Sequence, residues 1–264
     1  MLVKRVLTAL VLVPLVLALI YLANQITFAI AIAVLMLAAA LEWLNLSGKF
    51  SLIEKIAYCV SLSLLFLIAY FTPMIYAFGL AVIWWLFAIY LIVKYPNINA
   101  DILNKKVIRL LIGAVLFVSS WLGFVLLHIA GSDYVMLVLL LVWAADSFAY
   151  FTGVLIGEHK IFPKVSPGKS YEGLLGGVLG ALIVTQVALW FFNIQITNEL
   201  GWLILILATT IISVAGDLFI SMIKRIANVK DSGNLLPGHG GILDRIDSWL
   251  AAIPIFTLLY FILF

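Results

Sequence analysis

The stretch from Asp217 to Ser248 concentrates charge in a chain that otherwise has little. It holds Asp217, Asp231, Asp244 and Asp247 among only 12 acids, and Lys224, Arg225, Lys230 and Arg245 among 15 bases. On a helix, Asp217 and Ser221 are four residues apart and share a face with Lys224. The turn Pro237-Gly238-His239-Gly240-Gly241 can fold a second helical segment back on the first, and on that segment Asp244 and Asp247 share a face. Such a fold would bring Asp217 and Asp244 together. Paired carboxylates attract a hard cation such as Mg²⁺, which prefers oxygen ligands and usually arrives with phosphates. Lysine and arginine beside them hold phosphate oxygens. No Ser–His–Asp arrangement is evident. The residue types therefore point to metal-assisted phosphoryl or nucleotidyl transfer, which relies on positioning and charge neutralisation. A loop whose charges pair with one another and with lipid headgroups is the plainer reading. His239, alone between glycines and far from the only cysteine, has no zinc-site spacing; it reads first as a structural or phosphate-orienting residue.

A second polar run, Lys164-Val165-Ser166-Pro167-Gly168-Lys169-Ser170-Tyr171-Glu172-Gly173, leads into an apolar segment. Backbone N–H groups at a helix start can hold phosphate, Lys169 adds a point charge, and Ser166 and Ser170 add donors. The spacing is not that of a P-loop, and an ordinary charged membrane-flanking loop is the competing reading.

The elements that must carry these loops are membrane spans. Of 264 residues, 66% are hydrophobic and 10% charged, against about 25% charged in soluble domains. Spans of roughly 20 apolar residues are expected near 6–24, 26–45, 56–71, 74–93, 110–130, 134–156, 173–193, 202–220 and 248–264. The fold class is an all-α polytopic bundle of about nine spans. Residues 1–130 would form its N-terminal helices, and residues 131–264 the half that carries the site. The first apolar run exceeds a signal-peptide core and no small-residue cleavage site follows, so an uncleaved span is expected. With nine spans, every Lys and Arg falls in the connections on one side of the bilayer. By the positive-inside rule that side is cytoplasmic, and so is the N-terminus. Cys59 reads as a packing residue. Carboxylates inside spans are costly, which singles out Glu42, Asp146, Glu172 and Asp217. Glu42 is expected to pair structurally, and Asp146 either to make a structural hydrogen bond or to form a polar wall of the site. Glycines at 173/177 and 176/180 allow close helix approach, within the chain or in a dimer.

The run SMIKRIANVKDSGNLLPGHGGILDRIDS at 221–248 resembles the signature of the phosphatidate cytidylyltransferases, the CDP-diacylglycerol synthases. That signature is Ser-x-apolar-Lys-Arg, then Lys-Asp-x-small, then His-Gly-Gly-apolar-x-Asp-Arg-apolar-Asp. Ser166-Pro167-x-Lys169-Ser170-x-Glu172-Gly173 is similar to a second family motif, in which Thr is common in place of Ser170. The resemblance implies transfer of the cytidylyl group of CTP to phosphatidate in the membrane, giving CDP-diacylglycerol and pyrophosphate. It implies Asp217 and Asp244 as metal ligands, Mg²⁺ as the metal with allowance for a second cation such as K⁺, and Asp247 and Asp231 as helpers. It implies contacts to substrate phosphates from Ser166, Lys169, Lys224, Arg225 and Lys230. Ser170, Ser221, His239 and Arg245 complete the expected substrate-binding set. A homodimer is implied, and no nucleic-acid partner. The alternatives are an ion-coupled transporter, with Asp146 and Asp217 on a cation path, and a CTP-dependent lipid or polyprenol kinase. No internal repeat supports the transporter, and the polar residues collect at one face.

Overall fold

The computed structural model describes residues 13–46, 48, 50–98, 103, 105–233 and 240–264. They form α1 (Val13–Leu22), α2 (Gln25–Asn45), α3 (Leu52–Phe71), α4 (Met74–Lys94) and α5 (Lys106–Ala130). There follow α6 (Ser132–Ile156), α7 (Tyr171–Phe191), α8 (Glu199–Ile226), a short α9 (Leu243–Ile246) and α10 (Trp249–Leu263). Among the described residues, eight segments are long and apolar enough to cross a membrane, with α9 and α10 together making the eighth; the shorter apolar α1 precedes them. The expected all-α polytopic membrane bundle is the observed architecture. The part of the expected first span before Val13 lies outside the described residues.

α3 and α8 extend beyond the expected bounds because their end turns accommodate polar and charged residues. α3 begins at Leu52, where Ser51 and Glu54 form a reciprocal capping box that satisfies free N–H groups at the helix start. α8 runs to Ile226 and carries Ser221, Lys224 and Arg225 on its last turns. At about 1.5 Å per residue its 28 residues span roughly 42 Å, longer than a hydrocarbon core of about 30 Å. Asp217 therefore lies well inside the span that the basic residues terminate.

One buried apolar cluster runs through both halves of the chain. Phe219 of α8 packs against Trp43 of α2 and against Trp84 and Trp85 of α4. α7 lies along α6 at very short range: a methyl group at Gly177 would stand 2.8 Å from the Ala145 carbonyl oxygen, and one at Gly173 would stand 2.8 Å from that of Ala149. Thr152 and Phe148 fill the space over Gly176 and Gly180. The glycine stripe is thus used within the chain. This close packing fixes Asp146 of α6 relative to the loop that enters α7.

Contacts at the basic connections gather them at one end of the bundle. Lys106 pairs with Glu54 at 2.7 Å, Lys55 donates to Asn45 at 2.7 Å, and Arg225 donates to the Val165 carbonyl at 3.4 Å. At the other end Tyr21 donates to Asp133 at 3.0 Å, and a His128 ring nitrogen lies 3.1 Å from the Ile20 carbonyl oxygen.

Candidate active site

Two lysine–aspartate pairs form the centre of the basic end. In the first, Lys169 reaches Asp217 Oδ2 at 2.6 Å, while Ser221, one turn further along α8, donates to Asp217 Oδ1 at 3.2 Å. Lys169 is aimed by a hairpin between α6 and α7. Lys160 and Ser170 pair as an isolated antiparallel bridge, Ile161 N donates to the Lys169 carbonyl at 3.1 Å, and Tyr171 N donates to that of His159 at 2.9 Å. The hairpin is anchored at the start of α7. Ser170 Oγ caps that helix by accepting from Gly173 N at 3.1 Å, and the Glu172 carboxylate holds both the backbone N–H and the ring Nδ1 of His159.

In the second pair, Lys224 donates to Asp244 Oδ1 at 2.7 Å, and the side chains are only 12% and 7% exposed. Asp244 Oδ2 accepts from Ser232 N at 2.8 Å and Gly241 N at 3.0 Å. Gly240 makes this possible: its φ of +81° is a left-handed conformation that glycine adopts without strain. Asp247 reaches the same region because α8 and the α9–α10 turn touch at Gly216. A methyl group there would stand 2.6 Å from the Asp247 carbonyl oxygen. Asp247 Oδ1 accepts from Ser248 N at 2.9 Å. Asp217, Asp247 and Asp146 interact electrostatically, and Lys224 acts on both Asp217 and Asp247. Asp217 and Asp244 therefore share Lys224 as a neighbour. The carboxylates on which Asp217 acts are Asp247 and Asp146.

Against α6, α7 and α8 lies a cavity of about 510 Å³. Its polar wall includes Asp146, Lys160, Ser166, Lys169, Ser170 and Asp217, and its apolar wall includes Tyr150, Val154, Leu174 and Val214. Of the expected substrate-binding residues, Ser166, Lys169 and Ser170 thus stand in the cavity and Ser221 is bonded to Asp217. Arg225, Lys230, Asp231 and Arg245 lie exposed and do not line the cavity. His239 lies outside the described residues. Two further groups line the cavity, Asp146, which the sequence offered as a polar wall, and Lys160, which it did not single out. Asp146 is in the cavity wall and accepts from Ser248 Oγ at 3.4 Å. Lys160 lines the cavity because of the hairpin, a feature with no signal in its local sequence.

The donor set here is oxygen and ammonium only. Among the described residues no three His, Cys, Asp or Glu side chains converge to hold an ion unaided. Mg²⁺ commonly takes one or two carboxylates and completes its shell with water and substrate phosphates. Asp217 with its neighbour Asp247 fits that kind of site once Lys169 and Ser221 give way at the Asp217 oxygens. Asp244 would join by the same kind of exchange, giving up Lys224 or its backbone donors.

Comparison with known proteins gives a match to the family described as the cytidylyltransferase family over residues 3–263. The chain is 38% identical over 263 residues to a phosphatidate cytidylyltransferase of Pseudomonas aeruginosa, covering 98% of this chain and 97% of the relative. It is 37% identical over 286 residues to the phosphatidate cytidylyltransferase of Haemophilus influenzae, covering 99% of each. A Staphylococcus haemolyticus protein of the same name is 44% identical over 146 residues, covering 52% of this chain and 54% of the relative. With a bundle of apolar helices and a cluster of acids and bases at one end of it, the chain belongs to the cytidylyltransferase family of integral membrane proteins.

Proposed function

We propose that this protein transfers the cytidylyl group of CTP to phosphatidate, forming CDP-diacylglycerol and releasing pyrophosphate. The observation that carries this reading is the Lys169–Asp217 pair in the wall of a cavity with one polar and one larger apolar side, with the Lys224–Asp244 pair next to it through the action of Lys224 on Asp217. Such a cavity suits a substrate with a phosphate at one end and acyl chains at the other. A phosphate oxygen of phosphatidate attacks the α-phosphorus of CTP; the bond from that phosphorus to the bridging oxygen breaks, and pyrophosphate leaves. Lys169 and Lys224 can exchange carboxylate for phosphate oxygens, and Ser166 can donate to them from the cavity wall. Asp217 and Asp244 hold the two ammonium groups apart and aimed while the site is empty of substrate. Arg225, Lys230 and Arg245, exposed like Asp231, attract the triphosphate. The Mg²⁺ that this reading requires, held by Asp217 with Asp247, would neutralise charge on the triphosphate and the departing pyrophosphate.

The basic end is proposed to face the cytoplasm, where CTP is found, in keeping with the distribution of all 15 Lys and Arg residues. Anionic phosphatidate gains about 1 kcal/mol for each basic residue near the surface. A homodimer is proposed as well. Since the α7 glycine stripe is engaged with α6, its interface must use another face.

Purified protein in phospholipid nanodiscs should release pyrophosphate from CTP only when phosphatidate is present. EDTA should suppress release by more than a hundredfold, and added Mg²⁺ should restore it. Unchanged turnover in EDTA would remove the metal from the mechanism, and release without phosphatidate would remove the lipid as acceptor.

A further inference from the structure

We infer that Glu42, a buried carboxylate in the half of the chain remote from both charged loops, is a positioning residue for the transfer site, an inference that rests on the function proposed above. Glu42 is 2% exposed and lies near the end of α2, and it does not line the cavity. Its two oxygens are both spent on the segment that delivers Asp244. Oε2 accepts from Ser232 Oγ at 3.0 Å and from Leu243 N at 2.8 Å, and Oε1 accepts from Ile242 N at 3.1 Å.

The need for such a partner follows from the local sequence. The first N–H groups of a helix have no acceptor within it and are usually served by a polar cap residue. At the start of α9 the cap position is Ile242, whose side chain cannot accept a hydrogen bond. Glu42 supplies from α2 what Ile242 lacks. Ser232 joins this arrangement to the chemistry: its hydroxyl donates to Glu42 while its backbone N–H donates to Asp244 at 2.8 Å. Asp244 in turn holds Lys224 at 2.7 Å. A chain of contacts therefore runs from Glu42 through Ser232 to Asp244 and Lys224. α2 is itself held in register by the Trp43 indole N–H, which donates to the Arg109 carbonyl at 2.9 Å. The glycines of the signature complete the fit, since a methyl group at Gly233 or Gly241 would collide with the Glu42 carboxylate. Glu42 is thus the means by which the N-terminal helices set the geometry of a site made from the C-terminal ones.

The test is steady-state kinetics on the full chain in nanodiscs, with CTP and phosphatidate, expressed per folded molecule and accompanied by thermal melting. Glu42→Ala is expected to lower kcat about a hundredfold, the scale of a misplacement of roughly 1 Å, while the KM for CTP changes less than threefold. Ser232→Ala, which removes only the hydroxyl and leaves the N–H to Asp244, is expected to lower kcat about tenfold with little change in Tm. In the double variant the two losses should not multiply, because the hydroxyl acts through Glu42. A Glu42→Ala protein that melts earlier yet keeps its turnover would reduce Glu42 to helix packing and overturn the inference. Should Glu42→Ala fail to fold, wild-type turnover in Ser232→Ala would overturn it equally. An inactive wild-type protein would instead overturn the proposed reaction.

Discussion

Replacing Asp217 by Asn is expected to lower CDP-lipid formation about a thousandfold, or about 4 kcal/mol in the barrier, without loss of the folded bundle. The amide has the same size and can still accept from Ser221, so the end of α8 should keep its shape. What is lost is the charge that faces Lys169 at 2.6 Å and that the proposed mechanism requires for the cation. The Lys169 side chain is only 22% exposed, so its ammonium is left poorly solvated and without its partner. It should then hold the triphosphate too tightly or in the wrong place. Purified variant and parent, compared by turnover at saturating CTP and by Tm, check this. A variant within tenfold of the parent would remove Asp217 from the chemistry.

Lys224→Met is the second large effect. Methionine keeps length and flexibility but removes the ammonium that pairs with Asp244 and acts on Asp217 and Asp247. Turnover should fall about a hundredfold. Stability should fall too, because breaking a buried pair leaves one charge uncompensated; the two backbone donors that Asp244 retains limit this cost to roughly 2 kcal/mol. Adding Asp244→Asn to Lys224→Met removes the stranded charge. The double variant should therefore regain most of the lost Tm and none of the lost turnover. Recovery of both would show that the pair serves folding alone.

Much of this site was legible in the sequence because membranes make polar residues conspicuous. Asp217 and Lys224 stand out in an apolar helix, and Ser166, Lys169 and Ser170 flank a Pro-Gly turn. The spans were legible for the same reason, though their ends were not. The capping box at Ser51 and Glu54 extends α3 outward, and α8 continues through three polar residues, Ser221, Lys224 and Arg225, that hydropathy alone assigns to a loop. The pairing of partners was the least legible feature. Spacing suggested Asp217 near Asp244, and the two share Lys224 as a neighbour; it did not suggest that the contact at Gly216 brings in Asp247 or that the backbone of Ser232 and Gly241 engages Asp244. The part played by Glu42 depends on a contact with Leu243 across 201 residues, and no local pattern foretells it.

The position of the label in the lipid product tests the central claim most directly. Protein in nanodiscs with phosphatidate and Mg²⁺ should incorporate radioactivity from CTP labelled at the α-phosphate and none from CTP labelled at the γ-phosphate. The labelled lipid should carry cytidine. Incorporation from the γ-label would make the protein a CTP-dependent kinase, and incorporation from neither would contradict group transfer at these lysine–aspartate pairs.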